Sequence, residues 1–109
     1  MATVVWAAEG VSKFEDILDY LAEHSPNKVE EVRSRILTGV GRLAMLPLMG
    51  RVVPEFNLDH LRELIQSPYR ILYIVRGDVC SIVGVFHSRR NLASLVHPEE
   101  FEDNGHTAE

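Results

Sequence analysis

Apolar residues recur at helical spacing through the first half of the chain and at strand spacing through the second. Val4-Val5-Trp6 predicts a short first strand. Phe14, Ile17, Leu18 and Leu21 then fall on one face of a helix, the stripe expected of an element packed on a core. Ser12-Lys13-Phe14-Glu15 has the form of a capping box, in which hydroxyl and carboxylate each accept from a free amide; a start one turn earlier, near Ala7, fits the pattern as well. Ser25-Pro26 predicts the start of a second helix, with Ser as N-cap and Pro at the first helical position. Val29, Val32, Ile36, Val40 and Leu43 line its buried face. Gly39 and Gly41 lie inside it at about 1 kcal/mol each relative to Ala, either permitting close packing or merely tolerated. Pro47 is expected to end it. So few residues join the two helices that they should form an antiparallel hairpin.

From Gly50 onward the period changes. Leu61–Gln66 reads as a strand, Ser67-Pro68 as a turn and Tyr69–Val75 as a second strand. Gly77-Asp78 makes a hairpin turn into a third, Val79–His87. Ile71-Leu72-Tyr73-Ile74-Val75 is apolar on both faces, so it belongs at the centre of a sheet covered on both sides. The helical hairpin covers one side. The other requires either the C-terminal segment Leu92–Val96 or a partner protein. The expected architecture is α+β: β-α-α-β-β-β with a short C-terminal segment, forming one domain over residues 1–101. Residues 102–109 are small and acidic and predict a disordered tail.

A chain of 109 residues, 46% apolar and 25% charged, suits one soluble domain. No apolar run approaches the roughly 20 residues of a membrane span. The N-terminus lacks the basic region of a signal peptide. The single cysteine, Cys80, sits in an apolar stretch, which together with the absence of a leader predicts a cytoplasmic protein. The net charge of −5 argues against a general nucleic-acid binder, but it is unevenly distributed. Residues 50–92 carry six arginines against four carboxylates, while residues 93–109 carry five carboxylates and no Lys or Arg. Arginine's planar fork suits phosphate or carboxylate; a solvated surface with no recognition role explains the asymmetry equally well. The five histidines lack H-E-x-x-H spacing and one cysteine cannot build a Cys-rich zinc site. Gly39-Val40-Gly41 lies late in a helix, the wrong place for a dinucleotide fingerprint. No G-x-S-x-G elbow is present. A core-facing role accounts for the stripe of the second helix better than a membrane-surface one.

Leu46-Pro47, Gly50-Arg51-Val52-Val53-Pro54-Glu55, Leu61-Arg62-Glu63-Leu64, Pro68-Tyr69-Arg70-Ile71-Leu72-Tyr73 and Val85-Phe86-His87-Ser88-Arg89-Arg90 form an ordered set. At these separations, over residues 3–92, it resembles the RelE/ParE superfamily of bacterial type II toxins. No single piece is specific; the ordered set is. The resemblance implies a helical hairpin on a mostly antiparallel sheet, no cofactor or metal, and a cognate antitoxin that wraps the toxin in a hetero-oligomer and silences it. An antitoxin on the second sheet face would cover the apolar surface noted above.

Two mechanisms divide that superfamily: cleavage of mRNA on the ribosome, and, in the ParE branch, poisoning of DNA gyrase. Metal-free RNA cleavage needs a base, an acid and cations for the extra phosphate charge. At positions matching YoeB-like nucleases, the resemblance makes Glu55 the base, Arg62 and Arg70 the phosphate ligands and His87 the acid, a role to which imidazole chemistry is suited. Arg51, Arg89 and Arg90 would then contact phosphate or target. Structural roles are open to each. Glu55 can be a solvated carboxylate. Arg62 can pair with Glu55 or Asp59, Arg70 can organise its strand through carbonyls, His87 can simply pack, and Arg89 and Arg90 can close off a strand. The acidic balance and two lysines favour the ParE branch, because phosphate neutralisation dominates affinity for RNA. The Gly50–Pro54 and Leu61–Tyr73 segments also lie closer to ParE chains. A non-toxic module that keeps only the fold and its antitoxin contacts is the third alternative.

Overall fold

The computed structural model describes residues 1–101; the expected acidic tail, 102–109, lies outside them. β1 (Thr3–Trp6) leads into α1 (Ala8–His24), and a 3-10 turn at Pro26–Lys28 leads into α2 (Val29–Gly41). Then come β2 (Arg51–Val52), β3 (Leu61–Gln66), β4 (Tyr69–Arg76), β5 (Val79–His87) and the short helix α3 (Leu92–Leu95). The five strands form one sheet in the order β1-β5-β4-β3-β2. β1 runs parallel to β5, and the other pairs are antiparallel. The α+β architecture is as the sequence predicts, with β3 and β5 at the expected residues. The two-residue β2 was not foreseen, being too short to show a period.

Several local expectations are corrected. α1 begins at Ala8 without a side-chain cap, so Ser12 and Glu15 lie inside the helix and form no capping box. The junction with β1 sets the start instead: Ala7 N–H donates to Ile82 O at 2.9 Å and Val11 N–H to Ala7 O at 3.0 Å. Gly10 then lies against β5, where a Cβ would come within 2.2 Å of the same Ile82 carbonyl. Ser25 makes no side-chain cap either. Its amide closes on Leu21 O and its carbonyl takes Lys28 N–H, so its backbone serves both helices. α2 ends at Gly41 and tightens into a 3-10 turn at Arg42–Ala44, well before Pro47. There Ala44 O accepts from Ala2 N–H at 2.7 Å, which ties the exit of α2 to β1.

β4 is central and its apolar residues are buried on both faces, as expected. On the helix side, Phe14, Leu21, Val32, Ile36, Val40 and Leu43 pack against Leu64, Ile71, Tyr73 and Ile82. The second face carries its own core of Leu61, Leu72, Ile74, Val83 and Phe86, closed by Val53, Leu92 and Val96. Phe56, Leu58, Leu95 and Phe101 pack around it. Of the two covers the pattern allowed, the chain supplies its own. Leu92 and Val53 are fully buried there, so the apolar second face is not evidence for a protein partner.

β5 carries one irregularity with long reach. Tyr73 pairs with Ile82 and Leu72 with Gly84, which leaves Val83 as an extra residue. Such a bulge resets the alternation of side chains. Cys80, Ile82 and Val85 belong to the helix-side core, Val83 and Phe86 to the other.

Candidate functional site

Strand pairing brings a chain of opposite charges together on the second face. Glu63 on β3 lies opposite Arg51 on β2 and Leu72 on β4, and Arg70 points to the same side two residues before Leu72. Glu63 is fully buried and accepts from Arg70 Nε and Arg51 Nε, each at 2.6 Å. The other edge of the Arg70 fork donates to both oxygens of Glu55, at 2.7 and 2.8 Å. This planar, two-pronged geometry is what guanidinium and carboxylate favour. The hydrogen bonds from Arg70 hold the Glu55 carboxyl below the usual carboxylate range. Glu55 above all, with Glu63 also contributing, pushes the Arg70 pKa up despite its burial.

Arg62 lies on the opposite face, beside its cross-strand partner Tyr73. It donates to Gly50 O at 3.0 Å, to Asp59 O at 3.1 Å and to the Asp59 carboxylate at 3.1 Å. The Tyr73 hydroxyl accepts from Gly50 N–H and donates to Pro47 O, both at 2.9 Å. Together they pin the Pro47–Gly50 loop. No Cβ fits at Gly50, where Tyr73 Oη and Glu63 O would each lie 2.6 Å away. The Asp59 pairing foreseen for Arg62 is present; that foreseen with Glu55 is not, because Glu55 is taken by Arg70 on the other face.

His87 sits at the end of β5 opposite Tyr69, ring edge to ring face at 5.9 Å. Tyr69 belongs to the helix-side core. The Arg89 amide donates to His87 Nδ1 at 3.2 Å. Arg89 and Arg90 are exposed in the turn that follows.

The four residues of the nuclease quartet therefore divide between the faces of the sheet. Glu55 and Arg70 lie on one and engage each other; Arg62 and His87 lie on the other. Glu55, stabilised as a carboxylate by Arg70, is a weak proton acceptor. Glu63, which organises the arrangement, was not singled out from the sequence. Its signal was a carboxylate in a strand position that alternates onto the same face as Leu61. Among the described residues no group of three His, Cys, Asp or Glu is placed to hold a metal ion, and no helix is long and apolar enough to cross a membrane.

This fold and these motif positions can be set beside known proteins. The model of the ParE toxin of the type II toxin–antitoxin system parDE matches residues 4–92. Toxin RelE2 of Caulobacter vibrioides is 33% identical over 91 residues, covering 83% of this chain and 99% of that protein. A solved chain of the chromosomal ParDE system from P. aeruginosa matches with a TM-score of 0.66 over 80% of this chain and 96% of its own, at 19% identity; that likeness is one of fold. The chain belongs to the ParE toxin family, within the RelE/ParE superfamily of type II toxin–antitoxin toxins.

Proposed function

We propose that this toxin acts in the ParE manner, by inhibiting DNA gyrase, and that a cognate antitoxin neutralises it. The observation that carries this reading is the closed Glu55–Arg70–Glu63–Arg51 chain of ion pairs. A ribosome-dependent nuclease needs its base and phosphate-binding cations free and on one surface. Here Glu55 and Arg70 neutralise each other, and Arg62 and His87 face the other way. The acidic balance of the chain adds support, since docking on ribosomal RNA rewards a surplus of Lys and Arg. The mRNA-cleaving alternative draws on the RelE name of the Caulobacter relative and on His87 and Arg89 at the strand end.

The test pairs purified gyrase with the purified chain, and induced expression with sequencing of mRNA ends. Inhibited supercoiling, gyrase-linked DNA breaks and intact messages are the expected result. Cleaved messages that disappear with His87→Ala would overturn the reading in favour of the nuclease. A folded chain that leaves gyrase, messages and growth untouched would point to the non-toxic module.

A further inference from the structure

Connecting loops ordinarily present polar side chains to water. The segment after α2 does the reverse: Met45, Leu46, Leu48 and Met49 are 68%, 58%, 59% and 43% exposed. Its backbone is held throughout. Met45 N–H and Leu46 N–H both donate to Arg42 O, at 3.1 and 3.0 Å, and Met49 N–H donates to Leu46 O at 3.1 Å. Pro47 O and Gly50 N–H close on the Tyr73 hydroxyl, and Arg62 donates to Gly50 O at 3.0 Å. Tyr73 is fully buried, so a hydroxyl of the helix-side core is committed to fixing this loop. The apolar side chains cannot fold inward without breaking these bonds.

The loop crosses one end of the sheet, the end opposite His87. Ala44 O accepts from Ala2 N–H at the foot of β1, and Gly50 leads into β2 at the other edge. Arg42 stands at the first end of the row, exposed and in no ion pair with a described residue. Asp59 stands at the second, where Arg62 bridges it to the Gly50 carbonyl, and its side chain is 95% exposed. β1 and β3 lie three strand spacings apart, so the two charges flank the apolar row at a separation of roughly 14 Å. Opposite charges at the two ends, with apolar side chains between them, make the patch complementary to itself after a half-turn.

We propose that this loop is a two-fold interface between copies of the toxin, in which the apolar rows pack antiparallel and Arg42 of each copy meets Asp59 of the other. An exposed apolar patch with a polar rim marks a site of protein association. The fixed backbone lowers the ordering cost of binding. An apolar row alone would suit any apolar partner; the opposed charges at its ends are what a second copy matches without a second sequence. The interface falls short of the roughly 20–30 residues a side of a standard complex, so the dimer is weak, reversible and concentration-dependent. It stands apart from the Glu55–Arg70 pair and from His87, and does not depend on whether the toxin's target is gyrase or the ribosome.

Sedimentation velocity on the full chain, from roughly 1 to 500 μM, tests this through the weight-average mass, which should rise from one chain toward two. Leu46→Ser with Leu48→Ser removes two leucines from each copy and should weaken association at least about 100-fold. Both positions are exposed, and an unchanged melting temperature confirms that the fold is intact. Tyr20→Ser removes a side chain 63% exposed on α1 and should leave the association constant as it was. The charges are tested in trans. Arg42→Asp and Asp59→Arg each bring like charges together across the axis, so each variant alone should stay monomeric over the same range. Mixed in equal amounts they should associate with each other, because one native and one reversed ion pair then form. A native chain that stays monomeric at every concentration overturns the proposal and leaves the loop to a foreign protein. Self-association that survives the leucine replacements, or that falls equally with Tyr20→Ser, overturns it as well, and so does a mixture that remains monomeric.

Discussion

Replacing Glu63 by Gln tests whether the buried charge chain holds the second face together. The side chain is fully buried and takes two short charge-assisted hydrogen bonds, from Arg70 and Arg51. An amide of the same shape keeps one acceptor oxygen but turns an N–H₂ donor toward the other guanidinium. Breaking a buried ion pair by removing one partner costs roughly 3–5 kcal/mol, because the other charge is left without compensation. Arg70 keeps its two-pronged contact with Glu55, and Arg51 is 59% exposed and can turn to water. The Arg51 arm therefore contributes about 0–1 kcal/mol. The expected loss is about 2–4 kcal/mol, or about 10–25 °C in melting temperature for a domain of this size. Glu55→Gln, at a side chain 30% exposed, should lose only about 1 kcal/mol. Replacing the pair whole, with Glu63→Leu and Arg70→Met, should regain at least half of the Glu63→Gln loss, since no uncompensated charge remains between these two positions. Urea titration followed by circular dichroism and by Trp6 fluorescence measures all three. A Glu63→Gln variant within about 0.5 kcal/mol of Glu55→Gln would refute the argument and make the chain of charges incidental to the fold.

Two glycines should respond to alanine with opposite signs. Gly10→Ala forces a Cβ onto the Ile82 carbonyl and should cost about 1–3 kcal/mol, whereas Gly41→Ala meets nothing within 4 Å at a helical φ of −59° and should gain up to about 1 kcal/mol; chemical denaturation of the two side by side checks the contrast. Tyr73→Phe leaves the buried Gly50 amide without its acceptor and should cost about 1–3 kcal/mol, with faster hydrogen exchange at Gly50 by NMR as its local signature. Leu92→Ala removes a fully buried side chain from the cover of the second face; a loss of about 2–5 kcal/mol with increased binding of a hydrophobic dye is expected, and unchanged dye binding would mean that residues 92–96 do not form the cover. Because Arg70 lowers the folded-state pKa of Glu55, the carboxylate contributes stability that is fully present at neutral pH and is lost as pH falls through its folded value. Melting curves in acid should therefore be less pH-dependent for Glu55→Gln than for the native chain.

Membership in a toxin family assigns the chain an antitoxin as its class of partner. The apolar second face gives no further guidance on where that partner sits. The sequence pattern required a cover for Leu72 and Ile74 and was right to do so. It could not distinguish an inter-chain cover from an intra-chain one, because periodicity records burial and not the identity of the neighbour. Val53, Leu92 and Val96 cover Leu72 and Ile74 from within the chain. Of the large apolar side chains left in solvent, Ile65 lies half exposed on this face beside its cross-strand partner Arg70, and Met45, Leu46 and Leu48, all more than half exposed, lie in the loop after α2.

What the sequence revealed and what it concealed follow the same division between local pattern and register. α2, β3, β4 and β5 were legible because each runs long enough to display a period, and the helix-side core was legible with them. The division of the nuclease quartet was not, because it depends on two pairings that no period encodes. Ignoring the irregularity in β5, strict alternation would put His87 on the same side as Val83 and Val85, and Phe86 with Cys80 and Ile82. The extra residue at Val83 reverses this beyond Gly84, so that Phe86 joins Val83 in the second core and His87 meets Tyr69 on the helix side. A carboxylate in the middle of β3 then captures Arg70 where the sequence offered it to phosphate. One unpaired residue and one buried glutamate thus separate a constellation that stands in the right order along the chain. Motif order is evidence for the family; only register decides whether the motif's side chains share a surface.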